Sequence, residues 1–523
     1  MRPLNNKTKE VIEEMPKNLN TYLGQKGYTV LKSELTIKQQ TFIKDQLTVK
    51  PYVPGSPVQL EKSFPAYRES DKKLYIPRYY GDEVFGPVKE YKLTEGVDTN
   101  INFEGTLRPE QEPVVSNFLK HVSNGGGGLL ELPCGFGKTS ISLYIWSQLK
   151  KKTIVIVHKE FLMNQWIERI QQFLPTAKIG KIQGQIIDIE GKDIVLCMLQ
   201  SLSMKDYPSS LFDSFGLTII DEVHHISSEV FSNALFKLVT KYTLGLSATM
   251  NRSDGTSKVF KMFLGPIVYK QERSKDEKVI VRGITFQTND EEYNELLLDF
   301  RGKPASSKML SKICEYNRRT EFILSVLKDM LAENPKQQIM VIASYRNILQ
   351  YIFEAINHRN MATVGFYVGG MKEAALKSTE SKQVVLATFA MASEGLDIKS
   401  LSTLFMVTPM TKIEQSVGRI LRQKHEFNPV VVDIIDTHAN FQRQWLKRKT
   451  FYKSQNYKII QTTSYAYNAD STKWKVTYEP TDQTQKKMDK KEVKEISSED
   501  SLDESDEEEE TKNVGKCLLK FKK

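Results

Sequence analysis

The sequence predicts an α/β protein with two tandem parallel-sheet domains, and two observations carry that prediction. Short apolar runs alternate with helix-length stretches twice along the chain, from about residue 105 to 270 and from about 310 to 450. Alternation of this kind marks βαβ units that build a parallel sheet. Only the first set holds a glycine-rich turn suited to phosphate, Leu132-Pro-Cys-Gly-Phe-Gly-Lys-Thr139. Two such domains, one with a phosphate loop, suggest a nucleotide clamped between them.

Taken in order, residues 1–104 form an accessory domain of mixed composition. It has an amphipathic stretch at 36–47 and a Pro/Tyr-rich block, Leu74-Tyr-Ile-Pro-Arg-Tyr-Tyr-Gly81. The first alternating domain is assigned to 105–275, with strands expected at 129–132, 153–157, 194–198, 217–220 and 242–246. A charged, turn-rich passage at 271–278 begins the transition. The second domain, 276–460, has strands expected at 339–343, 362–368, 384–387, 403–407 and 430–434. Within it, Gln442-Arg-Gln-Trp-Leu-Lys-Arg-Lys-Thr-Phe-Tyr-Lys453 mixes bases with aromatics. It reads either as a single-strand binding track or as a helix packing Phe441, Trp445 and Tyr452 on the domain. Residues 461–523 form a C-terminal extension, and 481–523 are expected to be largely disordered.

The chemistry concentrates in the first domain. Backbone N–H groups of a turn like 132–139 point inward at a phosphate, and Gly135 and Gly137 allow close approach. Pro133, Cys134, Phe136 and Ser140 complete the cradle. Lys138 would reach the β- and γ-phosphates, and the Thr139 hydroxyl would hold Mg²⁺. Leu132 stands where the common pattern has its first glycine. The missing carboxylates come in Asp221-Glu-Val-His-His225, after a strand-like run ending at Ile220. Asp221 is assigned to Mg²⁺ and Glu222 to the water that attacks the γ-phosphate. Either motif alone has a bland reading, as a chance turn or a solvated loop start. As a pair in this order they specify an ATP-hydrolysing site. Gln111 or Arg108, in Leu107-Arg-Pro-Glu-Gln111, could read the adenine. Ser247, Ala248 and Thr249, after the fifth expected strand, are placed to couple that site to movement.

Bulk properties narrow the class. The 523 residues are 40% apolar and 26% charged, with apolar runs of strand length only, so no membrane span is expected. The start, Met-Arg-Pro-Leu-Asn-Asn, lacks an apolar signal core. Cysteines 134, 197, 314 and 517 show no pair spacing, which points to a reducing, intracellular compartment without disulfides or zinc. His224 and His225 have no ligand partner at metal spacing. Cys517 is seventh from the end and forms no prenylation signal. The net charge is +10. Because residues 499–510 hold nine acidic side chains and no basic one, the rest of the chain carries +19. A surplus of that size fits a polyanionic partner.

In content and order these motifs resemble those of the superfamily 2 helicases over residues 105–450. The resemblance implies two RecA-like domains with ATP in the cleft and nucleic acid across the top. It implies arginine fingers at Arg419 and Arg422 of Gln415-Ser-Val-Gly-Arg-Ile-Leu-Arg422, and a γ-phosphate or water contact at Gln415. Gly395 and Asp397 of Glu394-Gly-Leu-Asp397 would touch ribose and phosphates. Gln200, Ser201 and Thr388 would hold the nucleic-acid backbone, and His224 would couple the acidic motif to the other domain. Leu421 in place of a final glycine resembles the XPB-type DNA helicases. So do His158-Lys-Glu-Phe-Leu-Met-Asn-Gln-Trp166 and Ser247-Ala-Thr-Met-Asn-Arg-Ser-Asp-Gly255. The block 74–81 looks most like relatives in large cytoplasmic DNA viruses, including the poxvirus transcript-release helicases. Together these likenesses imply a DNA helicase or translocase in viral transcription or DNA repair, with RNA polymerase or repair factors as partners. A cytoplasmic virus factory, and the virion, would be its location, and a monomer is favoured. The alternatives are an RNA helicase, a duplex translocase that strips proteins without unwinding, and an inactive scaffold.

Overall fold

The computed structural model describes residues 15–51, 63–225, 228–250, 255–272, 278–300, 302–394 and 398–480. The acidic tail at 481–523, expected to be disordered, lies outside them, as do Gly395 and Asp397. The chain divides into two compact units, with the division between Glu272 and Arg273.

The first unit opens with a small sheet. Its strands are β1 (Tyr22–Gly24), β2 (Gly27–Leu31), β5 (Arg68–Glu69), β6 (Lys73–Ile76) and β7 (Glu90–Tyr91), in the order β5-β6-β2-β1-β7. Only β1 and β7 are parallel. A two-stranded ladder, β3 (Thr48–Val49) with β4 (Phe64–Pro65), stands apart. The amphipathic stretch forms the helix Ile37–Leu47. Its start is fixed by a reciprocal cap: Thr36 Oγ1 accepts from the Gln39 N–H at 3.3 Å, and Gln39 Oε1 accepts from the Thr36 N–H at 2.9 Å. The Pro/Tyr block becomes β6 followed by the helix Arg78–Phe85, with Pro77 at the turn. Gly81 lies flat against the Tyr28 ring, where any Cβ would collide with it. The inner face of this sheet (Leu23, Tyr28, Val30, Leu74, Ile76) belongs to the same buried cluster as Phe231, Phe236, Phe263 and Leu264. The accessory segment thus shares its core with the phosphate-loop domain.

That domain is built on eight strands: β8 (Gly126–Glu131), β9 (Thr153–Val157), β10 (Ile179–Gln183), β11 (Ile186–Asp188), β12 (Ile194–Met198), β13 (Leu217–Ile220), β14 (Tyr242–Ser247) and β15 (Ile267–Lys270). Their order is β11-β10-β12-β9-β13-β14-β8-β15, parallel apart from the β10–β11 pair. All five residues of β9 are buried, as expected of a strand covered on both faces. Successive residues feed opposite cores: Ile154 and Ile156 one, Val155 and Val157 the other. The chain leaves β8, crosses β14 and β13, and returns as β9. The carboxyl ends of β8, β14 and β13 therefore lie side by side, the place where open α/β sheets bind ligands.

The second unit repeats the plan with β16 (Ile280–Phe286), β17 (Gln338–Ala343), β18 (Val364–Tyr367), β19 (Val384–Thr388), β20 (Leu401–Met406), β21 (Val430–Asp436), β22 (Lys458–Thr463) and β23 (Lys475–Tyr478). The order is β18-β19-β17-β20-β21-β16-β22-β23, parallel except for β22–β23. Two mostly parallel sheets, each flanked by helices, are the tandem RecA-like architecture. Buried ion pairs tie helices to β21. Arg319 donates to both oxygens of Asp436 at 2.6 and 2.9 Å and to the Val407 carbonyl at 2.8 Å. Arg448 does the same for Asp433 at 2.8 and 2.9 Å. Arg448 sits in the helix Ala439–Ser454, which buries Phe441, Trp445 and Tyr452. Of the two readings of that stretch, packing is the one these rings follow.

Candidate nucleotide site

The phosphate loop begins where β8 ends. Gly135 and Gly137 have φ of 82° and 87°, left-handed values that side chains resist, and Gly137 precedes the helix Lys138–Leu149. The loop is braced from outside. Arg108 Nη2 and Gln111 Nε2 both donate to the Phe136 carbonyl, at 2.5 and 2.7 Å, and the Arg108 N–H donates to Gln111 Oε1 at 2.9 Å. These two residues, expected to read adenine, grip the loop's backbone here. Ser140 Oγ donates to the Gly137 carbonyl at 2.9 Å, which steadies the first helical turn.

Asp221 and Glu222 sit at the end of β13. Glu222 has a φ of 47°, an uncommon backbone for a non-glycine residue. It turns its carboxylate to Lys138, whose Nζ lies 2.8 Å from Glu222 Oε1. Glu222 Oε2 is 3.4 Å from His224 Nδ1, which is 2.6 Å from Ser247 Oγ at the end of β14. The Thr249 N–H donates to Ser247 Oγ at 3.2 Å. A polar chain thus runs from Lys138 through Glu222 and His224 to Ser247, with Ala248 beside it in the sequence.

Asp221 is buried. The Trp166 indole N–H donates to its Oδ2 at 2.9 Å, and the Glu222 N–H donates to Oδ1 at 2.9 Å. Burial pushes the Asp221 carboxyl above its ordinary range and Glu222 adds to this; Lys138 and Trp166 oppose it. For Lys138, burial alone would lower the ammonium, but Glu222, Cys134 and Asp221 outweigh it and hold it raised. The contact of Trp166 with Asp221 is one that the sequence motifs do not announce. Its only signal there is the block ending in Asn164-Gln-Trp166.

Elsewhere in the first unit, Gln200 Nε2 donates to the His158 carbonyl at 3.1 Å, and Ser201 Oγ accepts from the Gly184 N–H at 2.9 Å. Both lie on the helix Leu199–Met204. In the second unit Thr388 is buried at the end of β19. Gln415 is half-buried on the short helix Glu414–Val417. Arg419 is buried, with Nε 2.7 Å from the Ala392 carbonyl, while Arg422 is partly exposed just beyond.

Comparison with known proteins gives this geometry its family. Residues 104–252 match the family described as "Type III restriction enzyme, res subunit". The chain is 35% identical over 456 residues to a candidate ATP-dependent RNA helicase, L396, of Acanthamoeba polyphaga mimivirus, covering 85% of this chain and 87% of that one. The chain belongs to the superfamily 2 helicases. A candidate ATP-dependent RNA helicase of African swine fever virus is 25% identical over 72% of this chain and 78% of its own. The DNA 3'-5' translocase XPB2 of Sulfurisphaera tokodaii is 25% identical over 66% and 86%. The relatives of this helicase thus include proteins of large DNA viruses and the XPB2 translocase. Helicases of this kind are nucleic-acid-dependent ATPases, and that is this chain's activity. No described helix is long and apolar enough to cross a membrane.

Proposed function

We propose that this helicase is a motor on DNA, driven by Mg²⁺-dependent ATP hydrolysis. The observation that carries the reading is the polar chain from Lys138 through Glu222 and His224 to Ser247, because it joins the γ-phosphate end of the site to β14. With nucleotide bound, Lys138 moves from Glu222 to phosphate oxygens. Glu222 is then free to orient the attacking water, and His224 and Ser247 register the change.

The donors fit Mg²⁺. Asp221 is a buried carboxylate whose charge is costly without a cation, and Thr139 follows the lysine in the cradle. Among the described residues no group of three or more His, Cys, Asp or Glu could hold a metal alone. Thr139 and Asp221 would hold Mg²⁺ together with phosphate oxygens and water, and the ion would neutralise charge on the β- and γ-phosphates. Pro133, Cys134, Gly135, Phe136, Gly137 and Ser140 form the phosphate cradle. In the second unit Arg419, Arg422 and Gln415 are the proposed γ-phosphate groups. A guanidinium in that role is worth on the order of 10³–10⁵ in rate.

DNA is favoured by Leu421 in the last motif and by likeness to the XPB2 translocase. Gln200, Ser201 and Thr388 would contact its backbone. RNA is the second reading, and the name borne by the mimivirus relative favours it. The proposed role is in viral transcription or DNA repair in infected cytoplasm, with RNA polymerase or repair factors as partners; the viral origin of the relatives supports the viral setting.

The test is ATP turnover at fixed low salt with no polymer, single-stranded DNA, duplex DNA or RNA, beside Lys138→Ala. Stimulation by DNA that the variant abolishes is the expected result. Stimulation by RNA alone would overturn the choice of polymer. Turnover that no polymer stimulates would overturn the motor.

A further inference from the structure

The accessory sheet has one buried face and one that looks outward, and a single row of residues crosses the outward one. Backbone register aligns Glu90 with Tyr22, Tyr22 with Thr29, Thr29 with Tyr75, and Tyr75 with Arg68. Residues paired in this way across a sheet share a face. The neighbours along each strand (Leu23, Tyr28, Leu74) are fully buried on the opposite side. Tyr22 and Tyr75 are partly exposed, and Thr29, in register with both, is buried beneath this face.

Cations surround both rings. Lys26 Nζ lies 5.3 Å from the Tyr75 ring centre, and Lys73 and Lys92 lie 5.2 and 4.4 Å from that of Tyr22. Of the acids near the row, Glu90 pairs with Lys92 at 3.0 Å, and Glu69, in register with Leu74 rather than Tyr75, pairs with Lys32 and Lys44 at 2.6 and 2.8 Å. The row ends at Arg68, whose guanidinium lies over the Phe236 ring at 5.1 Å and bonds to Asn233. There it opens into a cleft of about 380 Å³ that Ser203 also lines. Ser203 belongs to the same helix as Gln200 and Ser201. The row thus leads to the segment proposed to hold the polymer backbone.

We propose that this outer face, with the cleft at Arg68, is a second binding site for single-stranded nucleic acid. Tyr22 and Tyr75 stack on bases, and Lys26, Lys73 and Arg68 neutralise phosphates. Stacking rings among cations are what a strand without defined sequence requires, since every base has a π-face. The inference rests on the nucleic-acid reading of the motor but on none of its ATP-site residues.

The test is fluorescence anisotropy of labelled oligo-dT and oligo-rU without nucleotide, run beside polymer-free ATP turnover on the full chain. Tyr22→Ala with Tyr75→Ala should weaken binding about tenfold or more and leave polymer-free turnover unchanged. Tyr22→Phe with Tyr75→Phe should keep the affinity, because the rings remain. Lys26→Glu with Lys73→Glu should weaken binding and lower its salt dependence. Wild-type affinity in both the alanine and the glutamate variants would overturn the site, as would a loss equally large in the phenylalanine variant. The dT and rU arms tell which polymer occupies it. If turnover responds to no polymer but oligonucleotide binding still depends on the tyrosines, the motor reading fails and this site stands.

Discussion

Asp221 shows how the resting site is tuned. Its carboxyl is buried beside Glu222, with Lys138 and two N–H donors in partial compensation, and folding holds it above its ordinary range. That upward shift sets the sign of the pH effect. Below roughly pH 4 both folded and unfolded chains are protonated at this side chain and burial carries no charge penalty. As pH rises, the unfolded chain ionises first, and stability falls until the folded carboxyl has ionised as well. Asp221→Asn should therefore raise the melting temperature of the nucleotide-free protein by a few degrees at pH 8. The gain should shrink toward pH 4, and Mg²⁺-dependent turnover should be lost. Scanning calorimetry at both pH values checks this; a lower melting point at pH 8 would show that the donors outweigh burial. At this scale glycine spacing and paired carboxylates, which have few other uses, pointed to Lys138, Thr139, Asp221 and Glu222, and the structure brings Lys138 to within 2.8 Å of Glu222. The Trp166 contact was not readable, since an indole on an apolar helix face looks like core until its N–H is placed. Nor was the grip of Arg108 and Gln111 on Phe136, which depends on a loop folding back over 25 residues.

At the scale of elements, most strands of both large sheets were legible as short apolar runs, and β9, β12 and β13 match the expected bounds. β16 was missed although it lies inside its sheet between β21 and β22. It follows a charged passage, carries Arg282 and Gly283, and is separated from β17 by two long helices rather than one. The Arg282 charge is matched by Glu333 at 2.6 Å from the second of those helices, a partner that no local pattern reveals. Likewise β22 and β23 extend the sheet past residue 460, where polar composition hides a two-stranded edge. Buried pairs such as Arg319–Asp436 then hold helix to strand. Both side chains are fully buried, so removing one leaves the other charge without its partner. Arg319→Ala should cost the second unit about 3–5 kcal/mol. Fluorotryptophan NMR in urea can follow this unit by unit: Trp445 and Trp474 report the second, Trp146 and Trp166 the first. The first pair should unfold at lower urea in the variant and the second pair should not move. A shared shift would mean that the two units unfold as one.

For the whole molecule the governing quantity is charge and where it sits. A chain of +10 that keeps nine acids in one run of twelve residues, 499–510, has a basic body and an anionic segment joined to it covalently. A tethered polyanion competes with nucleic acid at a high effective concentration, set by linker length. The strength of that competition depends on ionic strength, as does polymer binding itself. Deleting 499–510 should therefore tighten oligonucleotide binding by about threefold to tenfold at low salt. The two proteins should converge as salt approaches roughly 0.3 M, where screening lengths fall below about 6 Å. Polymer-free ATP turnover should stay the same, because the deletion removes no residue of the nucleotide site. Anisotropy titrations across a salt series give the answer. Equal affinities at low salt would show that the acidic run never reaches the basic surface. A constant difference at every salt would show that it acts through a contact other than charge. The convergent outcome makes the tail a filter, since a weak, brief polymer contact loses to it while an extended strand that engages the motor displaces it.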